Sequence, residues 1–237
     1  MILMSGPGPG DAKYYSLIYD GVSLLFTGVI FELIFGILIT IVTIAVVFSI
    51  VYSGSSMMAD EDYLVNEVVH AAAIIGIITN LIDFVIVYAY YYRGFTKLAM
   101  ADLSRYSIGR IGSIVNIAGQ VIGISLAALL LSLTFNLSNV WIVYLMSSPG
   151  SIVGFVGSVL TMIALYRLGD HFNVSYLSAG ATLLVFMAAI NLFNMIPGAS
   201  VVVGILGLLI GIPALVLLLI GLNEVKKAVG GKLGQQQ

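Results

Sequence analysis

From Val29 to Tyr52 the chain carries one charged side chain, Glu32, in an otherwise apolar run. About 20 apolar residues at 1.5 Å rise each cross a hydrocarbon core of about 30 Å, so this run reads as a membrane-spanning helix. Composition excludes the water-soluble alternative: 60% of residues are hydrophobic and 8% charged, where a soluble domain has about 25% charged. Five further runs follow, Tyr63–Tyr92, Ile108–Leu133, Trp141–Leu168, Tyr176–Met195 and Val201–Leu222. The predicted fold is an all-α polytopic membrane helix bundle of six spans. A flexible tail covers 1–13, one membrane domain 14–224 and a cytoplasmic tail 225–237. Two amphipathic approach helices are predicted, Tyr14–Thr27, set off near Gly28, and Arg93–Ser107.

The basic residues set the orientation. With six spans, all nine Lys and Arg fall on the side of the N-terminus, while Asp60-Glu61-Asp62 falls on the other. Both termini are therefore expected in the cytoplasm. The net charge of -2 offers nothing to a nucleic acid. The partners expected are the lipid bilayer and, through small-residue seams, further copies or other membrane subunits.

Polar residues inside spans are costly and face the bundle interior or a cavity. Glu67, His70, Asn80 and Asp83 recur at helical steps along one face of the second span, opposite Ile75, Ile78 and Ile82. The third span carries Arg110, Asn116 and Gln120 on one face. Counting from Arg93 puts Asp83 about 15 Å into the membrane, and Gln120 lies at a similar depth. A polar path follows: outer Glu67 and His70, a middle layer of Asp83, Asn80, Asn116 and Gln120, then inner Glu32 and Arg110. Such groups relay protons or bind cations, or they hydrogen-bond helices together and do nothing else. Asn191 and Asn194 read more simply as such glue.

Gly119-x-x-x-Gly123, Gly150-x-x-x-Gly154 and Gly207-x-x-x-Gly211 put small residues one turn apart, which lets backbones approach. Ser147-Ser-Pro-Gly150 and Gly211-Ile-Pro213 mark kinks or breaks. Gly21-x-x-x-Leu25 with Gly36 echoes Gly94-x-x-x-Leu98 with Gly109, the spacing of a parallel duplication. No zinc-protease, phosphate-loop, dinucleotide or nucleophile-elbow motif occurs. The chain has no cysteine and two distant histidines, so no metal or cofactor and no enzymatic activity are expected.

Tyr92-Arg-Gly-Phe-Thr-Lys-Leu98 leading into Ile108-Gly-Arg-Ile-Gly112, and Ala164-Leu-Tyr-Arg-Leu-Gly169 followed by Phe172-Asn-Val and Gly180, resemble an archaeal, mostly crenarchaeal, family of multi-spanning membrane proteins known only as a domain of unknown function. The resemblance implies an archaeal plasma-membrane protein and carries no activity. The polar face of span two points to a membrane-embedded permease or channel component for a small solute or ion. The alternative is a non-catalytic structural or assembly subunit of a larger membrane complex.

Overall fold

The computed structural model describes residues 11–57, 61–132, 140–195 and 200–235. The tail before Asp11, Asp60 and the connections at 133–139 and 196–199 lie outside them. Every element among the described residues is helical: α1 (Ala12–Met57), α2 (Glu61–Ile86) continuing into a π-helical turn (Val87–Tyr92), α3 (Arg93–Ala101), α4 (Leu103–Ser132), α5 (Val140–Phe172), α6 (Ser175–Asn191) with a 3-10 turn (Leu192–Met195), α7 (Ser200–Leu206), a second π turn (Gly207–Gly211) and α8 (Ile212–Gly234). Five stretches are long and apolar enough to cross a membrane, and α6 is a shorter apolar helix. The all-α bundle matches the sequence expectation.

Individual boundaries differ from it. α1 runs unbroken across Gly28, because a lone glycine in an apolar helix costs only about 1 kcal/mol. At 46 residues it is about 69 Å long. α5 runs through Pro149. Residues 225–234 continue α8. The Arg93–Ser107 segment is the one that breaks. α3 buries Phe95, Leu98 and Ala99 on one face, then Asp102 adopts an extended conformation (φ -144, ψ 97). Its Oδ1 accepts from the Arg105 backbone N–H at 3.2 Å and from Ser104 Oγ at 2.6 Å, capping the start of α4. α5 ends on Asn173, whose φ of 55 suits asparagine. The Val174 N–H then returns to Gly169 O at 2.8 Å and the Asn173 N–H to Asp170 O, satisfying the last carbonyls of the helix.

The helices close into a ring in the order α1, α2, α4, α5, α6, α8 and back to α1, with α3 wedged against α1 and α4. Glycines set the tightest seams. In the α4–α5 pair, a Cβ on Gly157 would stand 2.4 Å from Asn116 N, one on Gly112 2.7 Å from Thr161 N, and one on Gly119 2.7 Å from Gly154 N. Gly150 meets Gly123 the same way. Two of the three small-residue motifs thus pack on each other. The Gly21/Gly94 echo is also a contact. A Cβ on Gly21 would meet Gly94 O and Leu98 Cγ at 2.9 Å, and one on Gly94 would meet Leu25 Cγ at 2.9 Å and Gly21 O at 3.0 Å. The two motifs grip each other reciprocally across an antiparallel crossing. α1 continues helically to Gly36, while the second segment breaks at Asp102, before Gly109.

The packed core occupies one end of the ring. Tyr14, Ile18, Val22, Leu25, Phe95, Leu98, Tyr106, Leu165, Leu168, Leu177, Leu222 and Val225 form it, whereas no residue of α1 from 30 to 50 is buried. Basic side chains cluster at that end. Lys226 lies over the Tyr19 ring at 5.3 Å and Lys232 over the Tyr15 ring at 5.2 Å, tying α8 to α1. Arg105 of α4 hydrogen-bonds Nδ1 of His171 at the end of α5. His171 is half-buried against Phe172, where the sequence alone suggests a solvated turn.

Candidate functional site: a polar cavity inside the ring

A cavity of about 430 Å³ lies inside the ring, beyond the packed core. α1 contributes Glu32, Phe35 and Gly36; α2 contributes Thr79, Ile82 and Asp83; α4 contributes Asn116 and Gln120. α5 adds Ser158, Thr161 and Met162, α6 adds Leu184 and Asn191, and the second π turn and α8 add Gly211 and Leu215. Six helices therefore share one site. Gly36 and Asn191 are exposed and form its rim.

Four of the eight residues singled out from the sequence meet here: Glu32, Asp83, Asn116 and Gln120. Gln120 Nε2 approaches Asn116 Oδ1 at 3.4 Å, one helical turn apart. The other four do not line the cavity. Asn80 turns its amide onto Gly76 O at 2.7 Å and sits against Gly123, so it joins α2 to α4. Glu67 and Arg110 are exposed, and His70 is half-exposed on α2. Arg110 forms no ion pair with Glu32.

Tyr91 takes that place. Its hydroxyl donates to Glu32 Oε2 at 2.7 Å, and its ring is buried in the cavity wall. Helical counting from Asp83 aims Tyr90 rather than Tyr91 along the same face, since seven residues make about two turns. The π turn Val87–Tyr92 inserts the extra residue that carries Tyr91 inward. Tyr90 instead stacks on Phe31 at 5.2 Å. Tyr91, Thr79, Ser158 and Thr161 escape a reading that weighs charged and amide residues alone. Asn191, read from sequence as glue, stands at the rim.

The site has a one-sided chemistry. Among the described residues, no lysine, arginine or histidine lines it. The Thr79 hydroxyl donates to Ile75 O at 2.8 Å and the Thr161 hydroxyl to Gly157 O at 2.9 Å. With Tyr91 committed to Glu32, these hydroxyls spend their hydrogens on the protein. Each threonine then presents only lone pairs to a ligand. No group of three or more His, Asp or Glu is placed to hold a metal ion among the described residues.

No curated protein and no solved structure matches the chain. A family model described as "Protein of unknown function (DUF973)" matches residues 19–236, which takes in every wall of the cavity. With nearly its whole length matched, the chain, whose described residues include five helices long and apolar enough to cross a membrane, belongs to the DUF973 family.

Proposed function

We propose that this protein is a membrane-embedded permease or channel component for a small solute or ion, with the six-helix cavity as its binding site. The observation that carries this is the placement of Glu32 and Asp83, from different helices, on one cavity of about 430 Å³. Hydrogen bonds that serve only as glue close up the space around them, and interiors pack with few voids larger than a water molecule. Here the carboxyls face space of the size used by small-molecule sites. The cavity is open at Gly36 and Asn191 and backed by the buried core at the basic end. That is the layout of a pathway caught with one side accessible. Following the distribution of basic residues, both termini lie in the cytoplasm and the cavity opens outward, and the family resemblance implies the plasma membrane as the bilayer.

A second function, as a structural or assembly subunit of a larger membrane complex, is favoured by the outer part of α1. Ile34, Leu38, Ile41, Ile44, Phe48 and Tyr52 are all exposed there, leaving apolar surface for neighbouring subunits. Asp83→Asn separates the two. Loss of solute flux in proteoliposomes with unchanged folding supports the pathway; loss of folding or assembly supports the subunit.

A further inference from the structure

The geometry points to a donor-rich organic cation of the alkylammonium or guanidinium class as the ligand of this cavity, an inference that rests on the cavity being a solute site. Three features define the ligand. Glu32 and Asp83 both face the space, and no basic side chain among the described lining residues compensates them. A buried carboxylate needs a partner of opposite charge or a set of donors. Glu32 has one donor, Tyr91, and no hydrogen bond to Asp83 forms among the described residues.

The hydroxyls on the wall supply no substitute. Thr79 and Thr161 donate to carbonyls of their own helices and Tyr91 to Glu32, and the other donors on the wall, the Asn116 and Gln120 amides and the Ser158 hydroxyl, are uncharged, so two carboxyls are left to call for a cation. An anion would meet two carboxyls, and an uncharged polar solute would bring no charge to pair with an ionised one. A bare metal ion fits poorly as well. The volume of about 430 Å³ exceeds by an order of magnitude the roughly 30 Å³ share of one water, and no ligand triad is assembled among the described residues. Much of the rest of the wall is apolar. Phe35, Ile82, Met162, Leu184 and Leu215 suit a short hydrocarbon body, and the Phe35 and Tyr91 rings suit a cationic head.

The test is equilibrium binding to the full-length protein in lipid nanodiscs, with empty nanodiscs as the background. Three probes share one hydrocarbon body: n-butylguanidinium, n-butyrate and n-butanol. The expected result is saturable binding of one n-butylguanidinium per chain, weakened at least tenfold by Glu32→Gln and by Asp83→Asn. Neither n-butyrate nor n-butanol should saturate. Absent n-butylguanidinium binding, equal or tighter binding of n-butyrate or n-butanol, or unchanged cation binding in both variants would overturn the assignment. Should either carboxyl variant fail to fold, Asn191→Lys at the rim supplies the second test. It should abolish cation binding by adding a positive charge, and unchanged binding would contradict the proposal. Because no flux is needed, binding without transport retains the cation and removes the permease, whereas flux of uncharged solutes alone does the reverse.

Discussion

The Tyr91 hydroxyl donates a 2.7 Å hydrogen bond to Glu32 Oε2, joining residues 59 positions apart across the contact between α1 and the first π turn. It fixes one carboxyl of the cavity and leaves the other, Asp83, without a hydrogen bond among the described residues. Tyr91→Phe should strip Glu32 of its donor and lower stability by about 1–3 kcal/mol, the usual result of leaving a buried polar group unsatisfied. Glu32→Gln keeps an acceptor oxygen for Tyr91 and should cost less. Thermal unfolding in nanodiscs reads both, and equal losses would contradict the assigned bond.

The α4–α5 seam should tolerate no added methyl. A Cβ at Gly157 would lie 2.4 Å from Asn116 N and 2.8 Å from Gly112 O, where only backbone movement makes room. Gly157→Ala should therefore destabilise by about 1–3 kcal/mol or more and displace Asn116 from the cavity wall. Gly76→Ala, with nothing within 4 Å of the new atom, should be neutral or stabilise by up to about 1 kcal/mol. Comparing the two melting temperatures checks the contrast.

Asp102 caps α4 outside the spanning helices. Partial burial acts to raise its carboxyl, but hydrogen bonds from Ser104 and from the Arg105 backbone, with the Arg105 charge, outweigh it and hold the group below the usual carboxylate range. A lowered folded pKa contributes stability that is complete above the unfolded value of about 3.9. That contribution is lost as pH falls through the lower folded value. Asp102→Ala should cost about 1 kcal/mol at neutral pH and flatten the melting temperature against pH below about 4. An unchanged acid slope would show that the cap does not titrate with folding.

The proposed orientation predicts that a cysteine at Ser55→Cys, near the far end of α1, reacts with a membrane-impermeant thiol reagent added to intact cells. A cysteine at Ser104→Cys, at the basic end, should react only after the membrane is opened. The reverse pattern would invert the topology.

The bundle was legible from hydropathy because each span keeps its apolar run, and Asp83, Asn116 and Gln120 were legible as one layer because both of their helices keep the 3.6-residue period that counting assumes. Glu32 was placed nearer the membrane edge than the cavity it shares with Asp83. Its partner Tyr91 reaches it only through a π turn, and nothing in Tyr90-Tyr91-Tyr92 tells which ring turns inward. The Gly21/Gly94 echo shows a different limit. Two matching motifs signal duplication or mutual contact equally well in sequence, and only the folded chain shows that these two touch. Asn80 carried the same polar signal as Asp83, but a step of three residues falls about 60° short of a full turn and sends its amide to Gly76 and Gly123 instead of the cavity.

Flux through the purified full-length protein in proteoliposomes, with wild type beside Asp83→Asn and Glu32→Gln, tests the role of the cavity most directly. With n-butylguanidinium as the solute, wild type should show protein-dependent, saturable uptake. Each variant, verified folded by its melting temperature, should lose at least tenfold of that uptake. Saturable uptake that survives both substitutions in folded protein would contradict passage through this site.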